Sequence, residues 1–568
     1  MDGAVGAVPT SARGFDMTDT VDQVTFPGPD EIEGFWAFDK MHAPRPLHPL
    51  SQDLIMTTLS EGFSAAQAEY DCPLMASSRA INNYFYMAFH PVPDGDVIAD
   101  RMSRYSNTLA SKVPIVGKRW NEEWKPEIMA RNYAEKDADY SGMGDAELLA
   151  KLDEMTEWMR RMWYVHGHIN FVLISGAKFC DMYDAEVGNT DPTESYQVLQ
   201  GHHTRSVDTS RGIWDLSRTA KNNPEIKALF DTYEPRDLIV KLGESEVGQA
   251  FLIELDKFLH EYGWRSDAVY DLADVPWRED PSIPLGNIAM FMAMPDSEDP
   301  ERNYQRGVKL REELYAAARA RMANEPAKLA EFDELYEAAQ FSYPITEDHA
   351  FYIDQLGVVL FRRFTLAVGE RLAAKGCFDA REDLFFLHAD EVKDALANGG
   401  DRRSLVAARR AEWNLCAQAS PPGALGIPPE LPPGPPDPFM DAVLTRLLGV
   451  KPPPEHVDPL VIDGVGGSPG IYRGVARVVK SLNEAGDLED GEIMVCEMTL
   501  PPWVPMFMIA GAVVSDVGGV MSHCAIVARE FAIPSVVGSV DGTTRIETGQ
   551  IITVDGTNGQ VYLDGREL

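Results

Sequence analysis

Apolar residues recur at intervals of three and four through most of the first 410 positions. Examples are "AELLAKLDEMTEWMRRMWYVHGHINFVLIS" (146–175), "EVGQAFLIELDKFLHEYGW" (246–264) and "AFYIDQLGVVLFRRFTLAVGERLAAKG" (350–376). That period marks amphipathic helices and predicts one large, mainly α domain over residues 21–418. Residues 1–20 are small, polar and unpatterned, as in a flexible terminus. The pattern breaks at "ASPPGALGIPPELPPGPPDPF" (419–439), where dense Pro and Gly cannot continue a helix and predict a semi-rigid connector over 419–460. From 461 to 568 the texture becomes short β-type runs punctuated by Gly, such as "GEIMVCEMT", "GAVVSDVGG" and "QIITVDGTNGQVYL". The expected fold class is therefore multidomain, a large mainly α domain followed by a compact α/β domain.

Composition narrows the function classes. The 568 residues carry 89 Asp+Glu against 51 Lys+Arg, a formal net charge of -38, which disfavours a nucleic-acid phosphate backbone or an anionic membrane as partner. Six cysteines stand without CxxC spacing, so neither a disulfide framework nor a zinc site is expected, and a reducing cytoplasm fits. No signal-like start and no run of ~20 apolar residues occurs.

The chemistry concentrates at "SDVGGVMSHCAIVAREFAIPSVVG" (515–538). "GAVVSD" reads as a buried strand, "VGG" as a tight turn, and Ser522 as the N-cap of a helix ending before Pro534. His523 then sits in a first helical turn, where free N–H groups and the positive dipole end would stabilise a phosphoryl group on the ring. Gly518 and Gly519, without Cβ atoms, would let a phosphate approach the backbone. The plain alternative is a surface histidine in a capped helix.

Four motifs in order, "GGSPGIYRGVARVV", "TLPPWVPMF", "GGVMSHCAIVAREFAIPSVVG" and "GQIITVDGTNGQVYL", resemble the swivelling phosphohistidine domain of the phosphoenolpyruvate-utilising and dikinase family. The resemblance implies that His523 carries the phosphoryl group, that Thr499, Pro502 and Trp503 belong to the segment facing it, and that Cys524 replaces a common Ala. The helical region resembles the antibiotic-binding domain of rifampin phosphotransferases through "FWAFDKMHAPRPLHPLS", "LQGHHTRSVDTSRGIWDLSR", "YGWRSDAVYDLADVPWREDP" and the long stretch from Thr346 to Leu387. Where that family often has Tyr-Gly-His-Arg this chain has Tyr262, Gly263, Trp264 and Arg265; where it often has Arg-Glu-x-x-Lys the chain has Thr346, Glu347, Asp348, His349 and Ala350. The departure implies a different acceptor.

No GxxxxGK[ST] loop and no ATP-grasp signature is found before residue 460, and no phosphoenolpyruvate barrel is expected after Leu568. The resemblance to two-subunit enzymes, phenylphosphate synthase and the hydroxyphenylethanone kinases, implies an ATP-grasp partner subunit that binds ATP and Mg²⁺, and a phenolic acceptor. A phenol has a pKa near ~10 and needs help to lose its proton. His349 is the expected base, with Glu347 orienting it or acting instead, and Arg265 the expected cation for the phosphoryl oxygens. Trp264, His166 and His168 are candidates for the acceptor pocket. His166 and His168 point about 200° apart on a helix and should not share a metal, and no metal site is expected. A rifampin-type antibiotic phosphotransferase and a non-catalytic phosphocarrier remain the competing readings.

Overall fold

The computed structural model describes residues 24–188, 191–266, 269–429, 437–451, 458–481, 484, 488–499 and 503–568. The N-terminal twenty residues, Pro502 and two pieces of the Pro-rich stretch lie outside the described residues.

Helices dominate up to Cys416, but they share this region with a four-stranded antiparallel sheet that the apolar pattern did not announce. Its strands are β1 (Phe35–Phe38), β2 (Leu74–Ile81), β3 (Tyr84–Pro91) and β4 (Ala424–Gly426), in the order β2-β3-β1-β4. Strands β2 and β3 form a hairpin closed at Asn82 and Asn83, both at positive φ (50° and 65°), as the twist of a two-residue hairpin turn demands. Strand β4 belongs to the stretch expected to be a semi-rigid connector. Its backbone pairs with β1, Trp36 opposite Leu425, because three residues between prolines suffice for a short edge strand. Farther along the same stretch, the turn of helix Pro438–Asp441 and the π-helical turn Ala442–Leu447 bury Phe439, Ala442 and Val443 in the large domain's core. The connector is thus docked along part of its length.

Helix Asp145–Ile169 runs through that core with Leu148, Leu152, Met155, Met159, Met162 and Trp163 buried, at the spacing that predicted it. Helix Ser342–His349 passes directly into a π-helical turn, Ala350–Gln355, and then into helix Leu356–Ala374. A π turn bonds i to i+5 and so inserts one residue, rotating the downstream side chains relative to an α-helical count. A second, smaller core gathers helices between Arg205 and Ala293.

The C-terminal region is an eight-stranded mixed sheet: β5 (Val461–Asp463), β6 (Val465–Ser468), β7 (Ile471–Val479), β8 (Ile493–Cys496), β9 (Ala512–Ser515), β10 (Ser535–Val537), β11 (Ile551–Asp555) and β12 (Gln560–Tyr562). The order is β5-β12-β11-β7-β8-β9-β10-β6, with β7, β8, β9 and β10 parallel to one another. Strand β8 is buried throughout, and its residues alternate between two cores, Ile493 and Val495 on one face and Met494 and Cys496 on the other. The two regions meet closely: Met521 packs into the large core, and the Tyr343 hydroxyl donates to the Ile526 carbonyl at 3.0 Å. No helix among the described residues is long and apolar enough to cross a membrane.

Candidate active site

Strand β9 delivers the chain into Asp516, Val517 and the Gly pair, and the Ser522 hydroxyl, accepting from Ala525 N at 3.4 Å, caps helix His523–Phe531. Gly518 needs its freedom, at φ +124° with Ser522 Oγ 2.7 Å from where a Cβ would stand. The amides of this loop are not open to a phosphate in this arrangement. Gly518 N donates to Leu448 O (3.3 Å), Gly519 N to Leu447 O (2.7 Å) and Met521 N to Arg446 O (2.8 Å). The end of the docked connector has satisfied them, because the last carbonyls of a helical turn need donors and the Gly backbone can come close enough to supply them. A Cβ on Gly519 would meet Arg446 O at 2.4 Å.

His523 faces the large domain. Its Nδ1 donates to Glu347 Oε1 at 2.8 Å across the seam, and both side chains are nearly buried (11% and 4% exposed). Glu347 also accepts from the Ser206 hydroxyl at 2.7 Å. Burial works to raise the Glu347 carboxyl, but His523, Ser206 and Arg265 outweigh it and hold the group below the ordinary carboxylate range. With Nδ1 committed to Glu347, Nε2 of His523 is left buried without a hydrogen-bond partner, as is the hydroxyl of Thr499. An unmatched ring nitrogen in a packed seam marks a place built for a polar group other than the protein's own. Cys524, next to His523, is buried and its thiol is pushed up to about 11, so its role is packing.

Arg265 is fully buried behind Glu347. It donates to Gln355 Oε1 and Thr209 Oγ1, each at 3.0 Å, and its Nε is unmatched. Burial and the neighbouring Arg205 lower it to about 9, with Glu347 opposing, and it stays cationic at neutral pH. His349 donates from Nδ1 to Ile345 O at 2.7 Å, leaving Nε2 as the lone-pair nitrogen, which faces Asp354 Oδ2 at 3.8 Å. Burial takes His349 down to about 4. Asp354 goes up to about 7, also by burial, with His42 opposing. His166 joins this group, its ring 4.5 Å from that of His349 and its Nε2 3.9 Å from Asp354 Oδ2.

Two expected residues lie elsewhere. His168 points to the other side of its helix, among Tyr70, Trp124 and Tyr164. Trp264 is buried with its indole N–H on His260 O (2.8 Å) and its ring under Lys136 and Arg278, so its surface is already covered. Conversely, Ser206, Asp354, Gln355 and His42 enter the site without having been singled out. Asp354 and Gln355 lie inside the quoted "TEDHAFYIDQLG", but an α-helical count turns Asp354 away from His349, and only the π turn brings it back.

Family comparison agrees with this geometry. Residues 488–559, which contain His523, match the PEP-utilising enzyme mobile domain, and residues 173–344, which contain Ser206 and Arg265, match the rifampicin phosphotransferase fourth domain. Residues 488–559 are thus similar to a PEP-utilising mobile domain. Among similar proteins, chondramide synthase cmdD of Chondromyces crocatus is 32% identical over 558 residues, 95% of this chain and 14% of that one. Uncharacterized phosphotransferase YvkC of Bacillus subtilis (strain 168) is 34% identical over 402 residues, covering 70% of this chain and 47% of the relative. A rifampicin phosphotransferase of Streptomyces sviceus is 27% identical over 360 residues, 62% of this chain and 39% of the relative. The chain thus spans less than half the length of each of these relatives. In all three alignments the matched region is one part of a larger molecule.

Proposed function

We propose that this chain is the acceptor and phosphohistidine component of a phosphotransferase, in which Nε2 of His523 carries a phosphoryl group to a hydroxyl bound by the large domain. The observation that carries this reading is the Glu347–His523 hydrogen bond of 2.8 Å across the seam, which fixes Nδ1 and leaves Nε2 buried and unmatched beside a large-domain site. In the transfer step the P–N bond breaks as the acceptor oxygen forms its bond to phosphorus, and His523 recovers its Nε2 lone pair. Arg265 supplies positive charge behind Glu347, and Thr499 a hydroxyl for a phosphoryl oxygen. The acceptor proton leaves toward the His349–Asp354 pair, ending on the carboxylate, which holds a proton more readily than the depressed imidazole.

The acceptor we favour is a phenol such as 4-hydroxyphenylethanone. ATP and Mg²⁺ would be bound by a separate ATP-grasp subunit, so that ATP, phenol and water give AMP, aryl phosphate and inorganic phosphate. Support comes from the replacement of the cationic acceptor-side pair by Thr346 and Ala350 around Glu347 and His349. A second reading, a rifamycin-type acceptor, is favoured by the match of residues 173–344 to the rifampicin phosphotransferase fourth domain.

The test is an incubation of the chain with an ATP-grasp subunit, ATP, Mg²⁺ and a panel of phenols and rifamycins. Phosphorylated products are followed by mass, beside His523→Ala. Aryl phosphate and AMP that vanish with His523→Ala support the phenol reading. Phosphorylated rifamycin moves the acceptor to the second reading, and absence of phosphate on His523 sinks both.

A further inference from the structure

We propose that His166, His349 and Asp354 form a binding site for a divalent d-block cation of the zinc class, which ionises the acceptor hydroxyl; this rests on the large domain being the acceptor side. The three side chains converge from three elements, the 145–169 helix, the end of the 342–349 helix and the π turn next to it. Their ligand atoms lie within 4.8 Å of one another. The two imidazole-to-carboxylate separations, 3.9 Å from His166 and 3.8 Å from His349, are too long for hydrogen bonds. They are short enough for one ion, since bonds of about 2.1 Å on each side span up to about 4.2 Å. The three groups therefore surround a point instead of bonding each other, and a small rotation of one imidazole closes the remaining separation.

Three further observations agree with a cation at that point. Asp354 Oδ1 is buried with no hydrogen-bond partner, a costly state for a carboxylate that has no counter-ion in contact. The Nδ1–H of His349 is tied to Ile345 O, the outer hydrogen bond that typically orients a metal-binding imidazole and leaves Nε2 as the ligand. The π turn has a local purpose here: residues five apart, His349 and Asp354, come to one side only where bonding is i to i+5. Two imidazoles and one carboxylate suit zinc, iron or cobalt better than magnesium.

Three protein ligands leave a position open, and His349, 12% exposed, is the most accessible of them. A hydroxyl bound there loses its proton to solvent on binding, and the resulting oxyanion attacks the phosphorus on His523 while the P–N bond breaks. In that form Asp354 serves as a ligand and the ion replaces it in handling the hydroxyl proton.

The test uses the full chain, tag-free and chelator-treated, titrated with Co²⁺ by visible absorption and with Zn²⁺ by calorimetry. One ion per chain is expected, with the visible bands of nitrogen ligation. Affinity should fall at least tenfold in Asp354→Asn and in His166→Gln while circular dichroism and melting temperature hold. Absence of a stoichiometric site, an all-oxygen Co²⁺ spectrum, or wild-type affinity in both variants overturns the proposal, and the wild-type spectrum decides if a variant does not fold. Separately, chain already phosphorylated on His523 is chelated and given 4-hydroxyphenylethanone in a single turnover. Transfer at full rate without metal removes the cation and leaves the phosphotransferase reading standing. If His523 never accepts phosphate, that reading fails while the Co²⁺ titration still reports on the site.

Discussion

The two histidines at the centre of this molecule are held in opposite ways. His349 of the large domain gives its Nδ1–H to the carbonyl of Ile345, four residues back on its own helix. His523 of the mobile domain gives its Nδ1–H to Glu347, a residue 176 positions away on another domain. The first tie persists as long as the helix does. The second exists only while the domains are docked, so the tautomer of His523 is set by position and that of His349 by fold. A fixed imidazole suits a stationary binding task, and a conditionally fixed one suits a group that must be handed over.

Substitutions can break that contrast, and the largest effect belongs to His523→Ala, which should abolish incorporation of phosphate into the chain, read by intact mass after incubation with a phosphoryl source. Phosphate retained in this variant would put the carrier elsewhere. Next comes Glu347→Gln, which keeps the shape but removes the charge that stabilises the His523 ring. Loading should survive and transfer to the acceptor slow on the order of 10²-fold in single turnover. Equal slowing of loading would make Glu347 a residue of general stability instead. Gly519→Ala drives a methyl against Arg446 O and should weaken docking by roughly 1–3 kcal/mol, seen as faster proteolysis of the connector with the melting of the large domain unchanged.

The smallest effect concerns pH. Glu530, half-buried on the mobile domain's helix, is pushed up to about 8 by burial and by the negative charge of Glu347, with Tyr343 and Arg529 opposing. The docked state therefore binds a proton that the separated state releases. This contribution is complete below about 4.5 and is lost as pH rises through about 8. Docking should loosen from pH 6 to pH 9, and Glu530→Gln should flatten the trend. An unchanged slope in that variant would assign the dependence to another group.

The mobile domain was legible because its chemistry is contiguous: strand, Gly pair, Ser cap and His occupy eleven positions from Ala512 to Ser522 and one more for the ring. The acceptor side was only partly legible. Glu347 stood out as the residue kept from a family pattern and His349 as a departure from it, but Ser206, Asp354 and His42 come from separate elements, and no spacing rule links them. The π turn defeated helical counting at the one place where it mattered. The four-stranded sheet escaped for a different reason. Strand β2, "LMASSRAI", is half-buried on both faces for most of its length and so shows no clean alternation. Strand β4 hid among prolines, whose dense punctuation argued for a connector although three residues of it pair with β1.

The carbonyls of Arg446, Leu447 and Leu448 that cap the glycine loop give the mobile domain a lock whose key is its own tether. Any anion arriving at Gly518, Gly519 or Met521 would have to displace those carbonyls, exchanging one set of hydrogen bonds for another. The loop is thus a competitive port, filled by the tether or by a visitor but not by both, and occupancy by a visitor would release the tether at the same moment.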